Sequence, residues 1–352
     1  MRYYLLAILC FLSAQDDCVD GRYIEPLFGV EVSYGVEYGE NVNEEFLFGN
    51  EYDQTLYMDI YEPVGDILED RPLIFFMFGG SFVGGSRDSG YMVELCNSYA
   101  SMGYVAVAID YRLTPNLIFE ANAQKAYEAV IKGIHDLKAA IRYFRMNDEL
   151  YNDFRIDSDR IFVGGVSAGA IASLNAVYIN QESEALSLVS QEYLDSVGGI
   201  EGNSGNPGYS SQAHGIVNFC GAIGDYSWIE QGDVPIVGMH GDQDGTVPYS
   251  DNSVTLFGLD VQVYGSYIVN QVMNDLGNYS ALHTYQGQDH VPFSSNNMDF
   301  EIDLKNYNNS SKKYTVKTKI FNDDTVIYQN ESQGNIDKNQ TKKITLDGII
   351  DS

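Results

Sequence analysis

Ser167, Asp244 and His290 are three residues whose types and order along the chain could together perform nucleophilic catalysis. A serine hydroxyl is a weak nucleophile at neutral pH, so it needs a base to take its proton and a carboxylate to orient that base. When a parallel sheet carries these groups, they follow one another as serine, acid and histidine, which is the order found here. The sequence therefore predicts a Ser-Asp-His triad.

Ser167 lies in the pattern Gly165-Val166-Ser167-Ala168-Gly169. The apolar run 161–163 before this pattern predicts a strand, and the alanine-rich stretch 170–176 after it predicts a helix. Glycines are needed on both sides of the serine because a Cβ atom there would clash with the neighbouring strand and helix. The pattern predicts a sharp strand-to-helix turn that exposes the serine hydroxyl.

Asp244 follows the predicted strand 234–240, in a loop at the end where parallel sheets place catalytic groups. Asp242, two residues earlier, is the alternative acid. His290 comes after the last predicted strand, 281–285, and a glycine turn, so its ring can reach back over the edge of the sheet. The other histidines are interpreted as packing or surface residues: His135, His214, His240 and His283.

Acyl transfer also needs two backbone N–H groups that stabilise the developing oxyanion. The residue after the serine, Ala168, is predicted to supply one of them. The second donor is expected from the segment 78–81, where small residues let the backbone approach a substrate. Gly80 is the first choice for this donor, then Gly79 or Ser81, and the predicted oxyanion hole is Gly79, Gly80 and Ala168.

Strands and helices alternate along most of the chain, and the strands are apolar throughout, which indicates a mostly parallel sheet covered by helices and an α/β fold class. The predicted strands and helices are 54–62, 73–78, 91–102, 104–109, 123–144, 215–220 and 266–276, in addition to those named above. Residues 16–297 are interpreted as the catalytic domain. Within this domain, 181–215 lacks periodicity and is expected to be a cap-like insertion that shapes a substrate pocket. Short alternating segments after residue 297 predict a small antiparallel β module over 298–352.

Taken together, the ordered motifs resemble those of the α/β-hydrolase superfamily, and in particular carboxylesterases and lipases of the hormone-sensitive-lipase-like group. The motifs are Phe78–Phe82, Asp110–Leu113, Gly165–Gly169, His240–Asp244 and Gly287–His290, and the resemblance covers Leu56 to Pro292. It implies an α/β-hydrolase fold and a serine hydrolase that cleaves carboxylic esters through an acyl-enzyme. It implies no cofactor and no metal, with a small-molecule or polymer ester as the substrate.

The oxyanion segment departs from this family, which has His-Gly-Gly-Gly where this chain has Phe78, Gly79, Gly80 and Ser81. The oxyanion donors are backbone N–H groups, so these side-chain differences do not remove them. The differences do leave open the subgroup within the family and the substrate. Two other functions also stay open. The first is a secreted serine peptidase of the prolyl-oligopeptidase type, although no propeller-length domain precedes the catalytic one. The second is a non-catalytic binding protein on a hydrolase scaffold, although such proteins normally lack a triad member.

The chain carries a formal net charge of −30, which makes nucleic acid an improbable partner and favours a strongly solvated surface. This charge is confined to the first 300 residues, because residues 301–352 contain eight Lys and eight Asp or Glu. The hydrophobic share of 44% is that of a globular protein. The change in charge supports a separate C-terminal module.

Residues 1–15 have a basic start, a short apolar stretch and small residues before Asp16, and we interpret them as a signal peptide. The expected location is therefore outside the cell, in the periplasm or at the cell surface, and no transmembrane segment is predicted. Removal of the signal leaves Cys18, Cys96 and Cys220. An odd number predicts one disulfide, for which Cys18 and Cys96 are the expected pair, and one buried thiol.

Overall fold

The computed structural model describes residues 21–46 and 49–294 and, as backbone, four strands between residues 300 and 346. The predicted signal peptide and Cys18 lie outside the described residues. The strands are β1 (Gly29–Glu44), β2 (Glu51–Val64), β3 (Arg71–Met77), β4 (Val105–Ile109), β5 (Ile156–Val166), β6 (Gly215–Phe219), β7 (Ala222–Ile223), β8 (Ile236–Gly241), β9 (Asp251–Leu256), β10 (Leu259–Gly265), β11 (Ser280–Tyr285), β12 (Phe300–Lys305), β13 (Lys312–Asn322), β14 (Thr325–Ile336) and β15 (Thr341–Leu346).

The helices are α1 (Gly90–Ser101), α2 (Leu117–Glu120), α3 (Ala123–Leu150), α4 (Ala168–Tyr178), α5 (Glu182–Ala185), α6 (Gln191–Ser196) and α7 (Ser266–Asp275). In the described part of the chain, no helix has the length and apolar character needed to cross a membrane.

One eight-stranded sheet organises the fold, in the spatial order β1-β2-β4-β3-β5-β6-β8-β11. The strands from β4 to β11 in that order are parallel, whereas β2 runs antiparallel to β4 and β1 antiparallel to β2. The apolar β3 is buried at every position, as expected for a strand covered on both faces. These features confirm the predicted α/β fold class. They also place the carboxyl ends of β3, β5, β8 and β11 at one edge, where the predicted chemical groups follow.

A second, three-stranded antiparallel sheet has the order β7-β10-β9 and was not predicted. Strands β9 and β10 form a hairpin, here called the 251–265 hairpin, with Val261 opposite Val254. Its turn is Phe257-Gly258, and both residues have positive φ angles, as a two-residue hairpin turn requires. The alternating apolar residues that flank this turn were a signal for the hairpin in the sequence.

The predicted insertion, 181–215, contains the short helices α5 and α6 and contacts α3 through polar groups. Lys138 of α3 bonds to Glu201, and Arg142 donates to the carbonyl of Gly205. Of the residues that line the two cavities beside Ser167, only Leu188 comes from this segment. The expected contribution of 181–215 to a substrate pocket is therefore limited to that one residue in the described structure.

A buried ion pair connects the end of β4 to the centre of α3. The Asp136 side chain is fully buried and that of Arg112 is 3% exposed, with 2.9 Å between the guanidinium Nη2 and the carboxylate Oδ1. The backbone N–H of Arg112 also donates to Asp136, at 2.8 Å, and the Ser204 hydroxyl donates to it at 2.6 Å. Each oxygen of the carboxylate thus has a donor, which a buried charge requires.

We expect His135, next to this pair on α3, to make the folded protein less stable as the pH falls below about 6.5. The ring is 1% exposed, and burial together with the charge of Arg112 lowers the pKa of His135 to about 4. The unfolded chain takes up a proton below pH 6.5 that the folded protein does not take up until about pH 4, so the free energy of unfolding decreases over this interval. The decrease attributable to His135 is about 2 kcal/mol between pH 6.5 and 5, at 1.36 kcal/mol for each pH unit.

Urea unfolding at pH 7 and pH 5 tests this expectation, with Trp228, the single tryptophan of the chain, as the fluorescent probe. The variant His135→Phe should lose less stability than the wild type between the two pH values. An equal loss in both proteins would contradict the assignment to His135.

The C-terminal strands form two antiparallel pairs, β12 with β15 and β13 with β14. Each pair covers segments that the alternation of the sequence predicts as strands. Whether residues 298–352 are a separate module stays a prediction.

Candidate active site

Ser167 lies at the turn between β5 and α4, as the glycine pattern predicts. Its φ angle is +55°, a strained value for a residue with a side chain and a common one at functional sites. A Cβ atom at Gly169 would lie 2.2 Å from the carbonyl oxygen of Met77, and one at Gly165 would lie 2.4 Å from the backbone of Gly169. Only glycine permits this close packing of β3, β5 and α4, and the packing holds the serine at the edge of the sheet.

The structure brings Ser167, His290 and Asp244 into one chain of hydrogen bonds. The Ser167 Oγ atom is 2.9 Å from Nε2 of His290. The other ring nitrogen of His290, Nδ1, is 2.6 Å from Oδ2 of Asp244. These contacts have the geometry needed for His290 to take the serine proton while the carboxylate orients the ring. The alternative acid, Asp242, instead accepts the backbone N–H of Gly287 at 2.6 Å.

Asp244 is held by four donors, and its side chain is fully buried. Oδ1 accepts the backbone N–H groups of Thr246 and Val247, while Oδ2 faces both His290 and His240. Burial favours the neutral carboxyl, but the hydrogen bonds from His240 and His290 outweigh it and hold the pKa of Asp244 below its ordinary value. The carboxylate is therefore charged at neutral pH and fixed in direction.

The second histidine on this carboxylate, His240, was interpreted from the sequence as a packing residue. Its fully buried ring has Nε2 3.0 Å from Oδ2 of Asp244 and 3.0 Å from the carbonyl oxygen of Val247. Two acceptors at one nitrogen place the ring proton there. Nδ1 is 2.7 Å from the hydroxyl of Ser266, so His240 is anchored on both sides. The spacing of four residues between His240 and Asp244 was the only trace of this contact in the sequence.

The predicted oxyanion donors lie on the loop after β3 and at the start of α4. The N–H groups of Gly80 and Ala168 make no hydrogen bond to any other described residue, so both are available for an oxyanion. The N–H of Gly79 donates to the hydroxyl of Tyr91 at 2.9 Å, so that donor is already used in this structure. A Cβ atom at Gly79 would lie 3.1 Å from Cβ of Ser167, which shows how closely this loop approaches the serine.

Tyr111 fixes the start of the same loop. Its hydroxyl donates to the carbonyl oxygen of Phe78 at 2.8 Å, and the two rings stack with centroids 4.4 Å apart. Phe78 stands where the family that the motifs resemble has histidine, and here it contributes an apolar surface for that stacking. Both aromatic side chains are about 1% exposed, so they form a rigid support for Gly79 and Gly80.

Three residues at this site are spaced as metal ligands could be, because side-chain donor atoms of Cys220, His240 and Asp244 lie within 4.8 Å of one another. Burial raises the pKa of the Cys220 thiol to about 12. The thiol is therefore neutral at pH 7 while no metal is bound. His240 and Asp244 are already bonded to each other, so the cluster fits a hydrogen-bonded support for the acid better than a metal centre.

The predicted disulfide involves Cys96, one of the two cysteines in the described part of the chain. Cys96 and Cys220 are buried thiols, and the pKa of Cys96 is raised by burial. Because the predicted partner Cys18 lies outside the described residues, the Cys18–Cys96 disulfide stays a prediction.

Comparison with known proteins agrees with this architecture. Residues 58–222, just under half of the chain, match the BD-FAE family model, which describes esterases of the α/β-hydrolase type. No curated protein matches the chain. Among solved structures, the chain is similar to esterase 2 of Thermogutta terrifontis phosphoramylated by tabun, with 23% identity over 72% of this chain and 84% of that one and a TM-score of 0.49. The propionate-bound form of the same esterase gives 22% identity over 72% and 85%, with a TM-score of 0.49.

The sheet order and the strand-to-helix turn at Ser167 are those of the α/β-hydrolase fold. The match of residues 58–222 makes this part of the chain similar to esterases of the carboxylesterase type.

Proposed function

We propose that this protein hydrolyses carboxylic esters through an acyl-enzyme, with Ser167 as nucleophile, His290 as base and Asp244 as the orienting acid. The observation that carries the proposal is the continuous hydrogen-bond chain from the serine Oγ through both ring nitrogens of His290 to a buried carboxylate. Gly80 and Ala168 donate to the oxyanion. We further propose, from residues 1–15 of the sequence, that the protein is exported.

In the first half of the reaction, the Ser167 Oγ attacks the ester carbonyl carbon while its proton moves to Nε2 of His290. The carbonyl oxygen becomes an oxyanion held by the N–H groups of Gly80 and Ala168. The bond from carbon to the alcohol oxygen then breaks, and the alcohol leaves with the proton from His290. Asp244 stabilises the ring while it is charged.

The second half repeats these steps with water in place of the serine. Nε2 takes a proton from water, the hydroxide oxygen bonds to the acyl carbon, and a second oxyanion forms in the same place. The bond to Ser167 breaks and the serine oxygen recovers the proton, which releases the carboxylic acid. No cofactor enters either half of this mechanism.

Covalent labelling combined with ester hydrolysis tests the proposal. The purified protein should hydrolyse p-nitrophenyl esters and lose this activity in proportion to labelling by a fluorophosphonate reagent. Peptide mass analysis should find one equivalent of label on Ser167 and none on Ser173, which lies on the adjoining helix α4 and donates to the carbonyl of Gly164. An ester substrate in excess should slow the labelling.

Two other results would contradict the proposal. Labelling of Ser167 with turnover of peptides but not of esters would favour a serine peptidase. The absence of both labelling and hydrolysis would favour a binding protein on this scaffold.

A further inference from the structure

Ser167 lies between two apolar cavities of different size. The smaller, of about 220 Å³, is lined by Phe82 and by residues of α3, α4 and the 251–265 hairpin. The larger, of about 680 Å³, is lined by Tyr91, Tyr99, Phe219 and Phe293, among others. Ser167 and Thr246 line both cavities, so an ester bound at the serine can place one of its two ends in each.

The hairpin forms one wall of the smaller cavity through its alternating apolar side chains. Val254, Val261 and Val263 line the cavity and are each less than 8% exposed. Thr255, Leu256 and Gln262 of the hairpin line it too, whereas Ser253, the residue before Val254, does not. Strand β10 also pairs with β7 at Tyr264–Ile223 and Gly265–Ala222, which ties the hairpin to the segment just after β6. The wall is thus fixed to the body of the protein.

His290 decides which end of the ester lies in which cavity. In the proposed mechanism Nε2 of His290 gives its proton to the leaving alcohol, so the alcohol must leave on the side of that ring. His290 lines the larger cavity and not the smaller one. The alcohol therefore occupies the larger cavity, which leaves the smaller one for the acyl group.

We propose that the cavity closed by the 251–265 hairpin is the acyl site, and that it limits the substrates to esters of short, apolar acids. This inference rests on the proposed function. An apolar cavity of about 150 Å³ holds benzene, so one of about 220 Å³ has room for a chain of roughly six to eight carbons. A palmitoyl chain exceeds this volume, so part of it would have to project out of the cavity. The aromatic lining of the larger cavity suits a bulky apolar alcohol.

Two ester series measured on the wild type and on hairpin variants test the acyl site. The first series varies the acid of p-nitrophenyl esters from acetate to palmitate, and the second varies the alcohol of acetates, with phenyl and 1-naphthyl esters. In the wild type, kcat/KM should peak between butyrate and octanoate and fall at least tenfold at palmitate. Ser167→Ala provides the blank.

The variant Val254→Phe fills the acyl site, so it should lower kcat/KM for octanoate at least tenfold relative to acetate, because a few carbon atoms of misfit in an apolar pocket cost 10- to 200-fold. Val263→Ala enlarges the site and should raise the rate for laurate relative to butyrate. Ser253→Ala, on the same hairpin, is the matched control and should keep the wild-type profile. Circular dichroism confirms that each variant is folded, and Val263→Ala tests the inference if Val254→Phe does not fold.

The inference would be overturned if both valine variants were folded and kept the wild-type dependence of kcat/KM on acyl-chain length. It would also be overturned if the variants changed kcat/KM only in the series that varies the alcohol. Equal rates on palmitate and butyrate in the wild type would also overturn it. Failure of the proposed function gives a different result, in which the wild type hydrolyses no ester and Ser167 is not labelled.

Discussion

An asparagine at position 244 should lower kcat for ester hydrolysis about 10⁴-fold without changing the fold. All four contacts of the Asp244 carboxylate are donors, two from backbone N–H groups and two from histidine rings. If the amide NH₂ faces the rings, Nδ1 of His290 must accept a hydrogen bond, and the ring then carries its proton on Nε2. In that form the ring cannot receive the proton of Ser167.

The amide cannot avoid this conflict by turning over. Its NH₂ group would then face the N–H groups of Thr246 and Val247, which places donor against donor. The measurement is kcat and kcat/KM for p-nitrophenyl acetate, together with circular dichroism to show that the variant is folded.

Asp242→Asn is the matched control for this prediction. Asp242 accepts one backbone N–H, from Gly287, and an asparagine carbonyl can accept the same bond. Its activity should stay within about two- to threefold of the wild type. If Asp242→Asn lost the activity and Asp244→Asn kept it, Asp242 would be the acid.

Replacement of Arg112 by methionine should lower the free energy of unfolding by about 3 to 5 kcal/mol. The substitution leaves the buried carboxylate of Asp136 without its guanidinium, and removes the bonds from Arg112 to the carbonyl of Val42 and to the hydroxyl of Ser204. Both partners are almost completely buried, so water cannot replace the lost charge.

A double-mutant cycle separates the ion pair from general damage to the core. The second variant, Asp136→Asn, keeps an oxygen for the backbone N–H of residue 112, and the double variant Arg112→Met with Asp136→Asn contains no unpaired charge. The double variant should therefore be more stable than Arg112→Met alone. Urea unfolding monitored by Trp228 fluorescence measures all three.

The exposed ion pair between Lys125 and Glu120 is the control for this cycle. Lys125→Met should change the free energy of unfolding by no more than about 1 kcal/mol, because solvent screens exposed pairs. Equal effects of Lys125→Met and Arg112→Met would show that the buried pair has no special importance.

The strands of the main sheet other than β1, and the candidate triad, could be predicted because each depends on a local pattern, whereas the edge strand β1 was not predicted. The backbone conformation is determined locally in β3 by its apolar run, and at Ser167 by the flanking glycines. The chain order of Ser167, Asp244 and His290 follows from the order of the parallel strands. Helix α3 extends to Leu150, beyond the apolar stripe that ends at Phe144. The end of α3 depends on Asn147, whose side chain bonds to Asp153. The spacing of apolar residues along the sequence does not reveal this contact.

Other parts of the site depend on contacts between residues distant in sequence. The hydrogen bond of Tyr91 to Gly79 and that of Ser266 to His240 join separate elements, and neither leaves a periodic signal. The alternating valines of the 251–265 hairpin did leave one, but no prediction was made for this segment. Composition alone could not show that this hairpin, rather than residues 181–215, would lie beside Ser167.

The 251–265 hairpin is continuous in sequence, and its turn, Phe257-Gly258, lies outside the three loops that carry the proposed triad. Insertions or deletions at this turn therefore alter the wall of one cavity while β5, β8 and β11, which carry the catalytic loops, keep their pairing. Substrate preference and catalytic machinery can then diverge independently during evolution. In this scaffold, relatives with the same reaction but different acids are expected to differ first in the length and side chains of this one hairpin.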